Sequence, residues 1–352
     1  MDWFGRAKIS FTHHTSPLTL QQKDGTTTDL LKVCEQATPP CQLNPLLFNG
    51  HVQTMWTVVK EHGPQIYYRR KIFDSDHKLY AGTFTVDFVT EPHQDFEEKL
   101  PPRTAYFSEQ DFANLPSDDS KPMLIVLHGN FFEPPLMYPI QYVGEEGEGC
   151  LLKGAVAVGN PFNLDVTNRA LRRTHLGRLY QRVMGTNMKK LVANHKETVL
   201  KYTNLDYDRI QNITYLNEFD REVQTVTWGY PTEDAYYRDA SSCDAVLGIR
   251  IPFMALSAAD DPIAVEEAIP YQEIKQNPYT VLCLTSLGGH LSWFELGGGR
   301  WHTRPICNFL NKMAFDIDLD AIKPDACDKF DSQFRTHFDP VQRKLQILDV
   351  DQ

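Results

Sequence analysis

Four short apolar runs in the chain do not alternate with polar residues, and each ends in small or polar ones: Met123-Leu-Ile-Val-Leu-His-Gly, Gly154-Ala-Val-Ala-Val-Gly-Asn-Pro, Ile251-Pro-Phe-Met-Ala-Leu-Ser and Thr280-Val-Leu-Cys-Leu-Thr. A strand with one wet face alternates, whereas a strand buried on both faces does not, and the latter belongs to a parallel sheet covered by helices. The expected fold class is therefore α/β with a mostly parallel sheet. Reactive groups of open parallel sheets lie beyond the carboxyl ends of the strands. Here those positions hold His128-Gly129, Asn160-Pro161, Asp260-Asp261-Pro262 and Gly288-Gly289-His290.

Other segments arrange themselves around these runs. Two β-rich stretches, Gln65 to Asp74 and Leu79 to Val89, flank the turn-like Asp74-Ser-Asp-His-Lys78. In the second, Phe84, Val86 and Phe88 alternate with Thr83, Thr85 and Asp87, which predicts an antiparallel hairpin with one buried face. Residues 90–121 are polar and contain prolines, as in a surface loop or short helix. Residues 1–42 read as an arm without its own core, with order starting near Leu43. Residues 163–250 are mostly helical and rich in aromatics, an insertion of the kind that forms a lid over a sheet. From Pro305, the apolar residues Ile306, Phe309, Leu310, Met313 and Ala314 follow helical spacing, and the charged tail 316–352 is expected to be peripheral.

Composition acts by exclusion. The chain has 352 residues, 35 Lys plus Arg against 46 Asp plus Glu, and a net charge of −11. It has none of the clustered cations that nucleic-acid binding needs. Its apolar runs fall far short of the ~20 residues of a membrane span, and Met1-Asp-Trp-Phe-Gly-Arg6 lacks the basic-then-apolar pattern of a secretory leader. Seven scattered cysteines without a Cys-x-x-Cys pair suit a reducing compartment and offer no zinc site. The expectation is a cytoplasmic protein with no metal, no cofactor and no nucleic-acid partner. The sequon Asn212-Ile-Thr214 is attributed to chance.

The strand-end residues suggest acid–base chemistry. Gly288 and Gly289 allow a tight turn that projects His290 at the edge of the sheet, and Asp261 stands 29 residues upstream, also just past a strand. A carboxylate so placed binds the imidazole Nδ1–H, fixes the tautomer and stabilises the imidazolium that forms when Nε2 takes a proton. The doublet also fits a turn capped by Asp260 or Asp261. Gly129 begins a turn able to offer backbone N–H groups to an oxyanion. None of the 20 glycines opens a Gly-x-Ser-x-Gly motif, the strained strand-to-helix turn that exposes a nucleophilic serine. Ser286 and Ser292 lie near His290 but on no such elbow. Trp228, Tyr230, Tyr236, Tyr237, Trp293 and Phe294 supply either the lining of an apolar tunnel or plain core.

Longer motifs carry a resemblance: Leu43-Asn-Pro-Leu-Leu-Phe-Asn-Gly-His-Val-Gln-Thr54, Gly144-Glu-Glu-Gly-Glu-Gly-Cys150, Gly159-Asn-Pro-Phe-Asn163, Glu218-Phe-Asp220, Asp260-Asp-Pro-Ile263 and Gly288-Gly-His-Leu-Ser-Trp-Phe294. Together they resemble the α/β-hydrolase group of the fungal medium-chain fatty acid ethyl ester synthase/esterases, with the animal ABHD1/ABHD3-like hydrolases and the bacterial YheT-like proteins. The resemblance covers most of residues 43–315. It implies an α/β-hydrolase fold with an N-terminal antiparallel hairpin and a helical lid, and a serine hydrolase or acyltransferase acting on acyl esters, including transfer from acyl-CoA to an alcohol. Carried over, Asp261 matches the acid, with Asp260 as the alternative, His290 the base, and Gly129 and Asn130 the start of the oxyanion region. Asn44 to Thr54 matches a signature read here as structural, with packing or capping by His51 favoured over a catalytic role.

Between Gly129 and Tyr142 the chain departs from that pattern. The family places its fourth and fifth strands, their helices and the serine elbow there, and two strand-and-crossover units at ~30 residues each do not fit into residues 130–141. Pro134, Pro135 and Pro139 exclude a continuous helix or inner strand in that stretch. The chain thus resembles a member with an internal deletion that removes two central strands and the nucleophile, closes the gap imperfectly and is inactive as written. One alternative is a non-catalytic relative that binds acyl chains or a partner protein; another is an incomplete gene product, from a skipped exon or an intron translated as Asn130 to Gln141. The resemblance also implies an acyl ester or acyl-CoA substrate with an alcohol or water acceptor, and leaves open peripheral contact with a membrane or lipid droplet.

Overall fold

Three of the four apolar runs pair as parallel strands, and their neighbours in sequence supply the layers that cover them. The computed structural model describes residues 5–60, 63–75, 82–95, 97, 99–115, 121–127, 139–322, 336–339 and 344–347. The chain forms two compact units, residues 1–58 with 126–352, and residues 59–125.

In the larger unit, β1 (Ile9–His13) is followed by a short antiparallel pair, β2 (Thr19–Gln21) and β3 (Thr27–Asp29). The smaller unit is built on β4 (Tyr67–Ser75), β5 (Gly82–Thr90) and β6 (Thr104–Tyr106). The sheet of the larger unit continues with β7 (Ala155–Val158), β8 (Phe253–Ala258) and β9 (Thr280–Thr285), and a separate hairpin joins β10 (Thr336–Asp339) to β11 (Lys344–Ile347). The main sheet runs in the order β1-β9-β8-β7, with β7, β8 and β9 parallel and β1 antiparallel to β9. Every residue of β8 is buried, whereas the edge strand β7 is half-buried along its length.

The fourth run gives a different result. Met123–Leu127, expected as a strand of this sheet, forms no strand, and all five side chains are exposed. An isolated extended segment has no stability of its own without neighbours to satisfy its backbone, and no described strand pairs with it.

The expected arm is also corrected. Within residues 1–42, β1 pairs in register with β9 from Ile9↔Thr285 to His13↔Val281. The helix Leu30–Ala37 buries Leu30, Val33, Cys34 and Ala37 at helical spacing and is capped by Asp29, which accepts the Lys32 amide at 2.9 Å. Those residues share one core with Leu20, Leu256, Leu282, Cys283 and Phe309. The start of the expected peripheral tail belongs there too: Ile317 is buried, and the Asp318 amide donates to Gln21 at 2.9 Å.

In the smaller unit β4 and β5 form the expected hairpin, paired from Tyr67↔Thr90 to Ser75↔Gly82, and β6 adds a parallel strand to β4. Its apolar face is an aromatic cluster: Phe73 stacks on Phe84 at 5.4 Å, and Phe112 of the short helix Glu109–Ala113 meets Phe73 and Phe88 edge-on. Phe84 remains half exposed, so this face is only partly buried.

Residues 163–250 form a helical insertion whose longest member is His175–Asn194. Its two ends are pinned together beyond β7. The Leu164 amide donates to Ser241 Oγ at 3.0 Å, the Ser242 amide to the Phe162 carbonyl at 2.9 Å, and Asn160 Nδ2 to Ser242 Oγ at 3.2 Å. At its far end the helix Pro139–Glu146 crosses the helix Ala245–Gly248 so closely that a Cβ on Gly144 would stand 2.1 Å from the Ala245 carbonyl oxygen.

Candidate active site

Because β8 and β9 are adjacent and parallel, the turns that follow them lie side by side. The Ala259 amide extends the ladder by donating to the Thr285 carbonyl at 2.8 Å. Asp261, 1% exposed at its side chain, places Oδ2 2.9 Å from His290 Nδ1, while its Oδ1 accepts the amides of Ile263 at 2.8 Å and Ala264 at 2.9 Å. A carboxylate only accepts, so Nδ1 carries the hydrogen, and Nε2 of the neutral ring presents its lone pair. The His290 side chain is 22% exposed, and its Nε2 has no hydrogen-bond partner among the described residues. Asp260 faces elsewhere: its Oδ1 accepts the Gly289 amide at 2.9 Å, and burial pushes its carboxyl upward against the pull of the Gly289 and Gly288 amides.

The turn that carries His290 is strongly bent. A Cβ on Gly288 would stand 2.3 Å from the Trp293 indole nitrogen. Leu291 and Trp293 have φ of 52° and 42°, left-handed values that side chains resist, and Gly289 has a φ of 61°. The surroundings hold this shape through Trp293 N to the Gly288 carbonyl at 2.9 Å, Trp293 Nε1 to Thr285 Oγ1 at 2.8 Å and Arg300 Nη1 to the Leu291 carbonyl at 3.0 Å.

Of the two nearby serines, Ser292 is fully buried and donates to the His290 carbonyl at 2.7 Å, and Ser286 Oγ accepts the Lys8 amide at 2.9 Å. Neither hydroxyl bonds to the imidazole. Gly129 and Asn130, the expected oxyanion residues, lie outside the described residues. His51 packs as expected, its ring parallel to Tyr180 of the helical insertion and its Nδ1 3.0 Å from the Tyr180 hydroxyl.

A cavity of about 40 Å³ lies between the helical insertion and the acid turn, lined by Leu164, Asn168, Gln181, Asp220, Tyr237 and Ile263 among others. Asp220 is a buried carboxyl that the sequence motif Glu218-Phe-Asp220 contained without revealing its role. Tyr237 donates to its Oδ2 at 2.6 Å, Oδ1 has no partner among the described residues, and burial pushes the group up to about 7. Of the six aromatics singled out, Tyr236 and Tyr237 line this cavity, whereas Trp293 and Phe294 are buried in the protein interior. Among the described residues no group of His, Cys, Asp and Glu side chains is placed to hold a metal, and no helix is long and apolar enough to cross a membrane.

An acid and a histidine joined beyond adjacent parallel strands, with a helical insertion opening after the preceding strand, are consistent with the mixed α/β fold of an α/β-hydrolase. No family model and no solved structure matches the chain. Among curated proteins, a monoacylglycerol lipase of Saccharomyces cerevisiae is 29% identical over 374 aligned positions, which take in 80% of this chain and 82% of the relative. Phospholipase ABHD3 of Bos taurus is 31% identical over 159 positions, 45% of this chain and 38% of the relative. Medium-chain fatty acid ethyl ester synthase/esterase 2 of Saccharomyces cerevisiae is 28% identical over 191 positions, 49% and 42% respectively. The chain thus spans less than half the length of the latter two. The similarity to these relatives is consistent with an α/β-hydrolase of the ABHD group. The longest alignment has more positions than the chain has residues: 80% of 352 is about 282, so roughly 90 of its 374 positions have no counterpart here.

Proposed function

We propose that the chain carries the acid and base of a serine-esterase site for lipid esters but lacks the segment bearing the nucleophile, so that as written it turns over no ester. The observation that carries this reading is the bond of 2.9 Å between Asp261 and His290 in a chain without a Gly-x-Ser-x-Gly motif. With a serine nucleophile supplied, His290 Nε2 would take the proton of its hydroxyl as it attacks the ester carbonyl and return it to the leaving alcohol. The cycle repeats with water or a second alcohol, and Asp261 orients the ring throughout. Ser286 and Ser292, engaged elsewhere, do not replace the missing hydroxyl.

Two further observations support an internal gap. The roughly 90 alignment positions without a residue here exceed the ~60 residues of two strand-and-crossover units at ~30 each, and so leave room for them with their loops. Among the described residues the apolar run Met123–Leu127 also has no strand partner, as expected if the strands that flank it are gone. The favoured account is therefore an incomplete gene product. The relatives' names, a lipase, a phospholipase and an ethyl ester synthase/esterase, support an acyl ester or acyl-CoA donor with water or an alcohol as acceptor. Cytoplasmic residence with peripheral contact to a membrane or lipid droplet belongs to the same reading. Its support is the exposed apolar set Leu46, Phe48, Met55, Trp56 and Val58.

The decisive experiment is to sequence the transcript between the codons for Leu127 and Gly144. An insert encoding Gly-x-Ser-x-Gly is expected; the junction as written would leave a non-catalytic relative instead. On the chain as written, a fluorophosphonate probe should label nothing, and heat-sensitive labelling would overturn the inactivity.

A further inference from the structure

The helix Gly50–Val59 is inside out. Its buried residues are Gly50, Gln53 and Thr54, while Met55, Trp56, Val58 and Val59 are exposed. A buried amide or hydroxyl is costly unless its bonds are satisfied, and here each side chain makes one bond to the turn that carries His290. Gln53 Nε2 donates to the Leu47 carbonyl at 3.1 Å, and its Oε1 accepts the Phe294 amide at 2.9 Å. Thr54 Oγ1 donates to the Gly50 carbonyl at 2.7 Å and accepts the His290 amide at 2.9 Å. One turn further, Thr57 Oγ1 lies 2.9 Å from Ser292 Oγ, which in turn donates to the His290 carbonyl.

The helix therefore grips the backbone of His290 on both sides, its N–H through Thr54 and its C=O through Ser292. It also abuts the acid turn, because a Cβ on Gly50 would stand 1.8 Å from the Asp260 carbonyl oxygen. We propose that Thr54, supported by Gln53, is a positioning residue for His290: its hydroxyl fixes the backbone of a strained turn so that the imidazole meets Asp261. The left-handed conformation of Leu291, the residue after His290, persists only where the surroundings over-determine it. A base must be held within a fraction of an ångström and a few degrees to act, and supporting hydrogen bonds supply that precision. The inference rests on the reading of His290 as a base only for its consequence in turnover. Its test reads the ring's own hydrogen bond and so holds or fails whether or not a nucleophile is present.

The experiment follows the Nδ1-bound proton of His290 in the full chain by proton and nitrogen NMR, assigned by its disappearance in His290→Asn. Thr54→Val keeps the shape of the side chain but removes both hydrogen bonds, whereas Thr54→Ser keeps the bonds and removes the methyl group. The wild type and Thr54→Ser should show the resonance, and Thr54→Val should lose it at a temperature where circular dichroism reports an intact fold. If Thr54→Val does not fold, Thr54→Ala is read in its place. Retention of the resonance in Thr54→Val or in that substitute, its loss in Thr54→Ser, or its absence from the wild type would each overturn the proposal, since a role in packing alone follows the methyl group and not the hydroxyl.

Discussion

Asp260 and Asp261, adjacent in sequence, turn to different parts of one loop: Asp260 accepts the Gly289 amide and Asp261 accepts His290 Nδ1, both at 2.9 Å. In this geometry Asp260 bonds the backbone of the turn and Asp261 bonds the ring.

Asp261→Asn should therefore change the tautomer of His290. The asparagine oxygen stays with the Ile263 and Ala264 amides, so its NH₂ faces the ring and donates, and Nδ1 must accept. The hydrogen then sits on Nε2, the atom that needs its lone pair for proton abstraction. Imidazole nitrogen shifts distinguish the two forms. Asp260→Asn should retain the Nδ1–H form, and finding one tautomer in both variants would contradict this assignment of roles.

Gly50→Ala drives a methyl group against the Asp260 backbone, 1.8 Å from its carbonyl oxygen. Backbone cannot swing aside as a side chain can, so the cost should reach or exceed the ~1–3 kcal/mol of ordinary overpacking. Gly149→Ala, whose nearest neighbour is a side-chain oxygen at 3.8 Å, should stay within about 0.5 kcal/mol of the wild type. Thermal midpoints of the two variants provide the comparison.

What could be read beforehand was local. The runs that became β7, β8 and β9 and the stripe through Phe309 and Met313 announce themselves within a few residues, and so does the spacing that puts Asp261 and His290 at two strand ends. What was misread depends on distant partners. Met123–Leu127 has the composition of a buried strand but needs neighbours the sequence around it cannot disclose. Thr54 looks like any polar helical residue until His290, 236 positions away, is set beside it. In residues 1–42 the polar turn around Asp24 and Gly25 masked the apolar stripe of Leu30–Ala37.

Truncation to begin at Leu43, harmless if those residues were a loose arm, should prevent folding of the larger unit. It removes β1, which covers the outer edge of β9, and the buried Leu20, Leu30, Val33 and Cys34. A large aliphatic side chain deleted from a core costs about 2–5 kcal/mol, so losing several exceeds the ~5–15 kcal/mol stability of a domain. Circular dichroism and proteolysis of the truncated chain would reveal the loss; a cooperative transition like that of the full chain would contradict it.

Stability should also depend on Asp220 in a direction opposite to that of most acids. Burial raises its carboxyl to about 7, against the opposing hydrogen bond from Tyr237, whereas an unfolded Asp titrates near 3.9. Between these values the unfolded chain has released the proton and the folded chain retains it. Stability therefore falls as pH rises from about 4 to about 7 and levels off above, by on the order of 4 kcal/mol in all. His302 acts in the other sense: burial, with Arg300 adding to it, lowers its imidazole to about 4, so stability falls as pH drops from about 6.5 toward 4. The two slopes oppose each other between about 4 and 6.5, which hides both in a wild-type profile. Asp220→Asn keeps an acceptor for Tyr237 and removes the titration, so its thermal midpoint relative to wild type should climb steadily from pH 4 to pH 7. Parallel profiles for the two proteins would mean that the carboxyl ionises in the folded state at its ordinary pH.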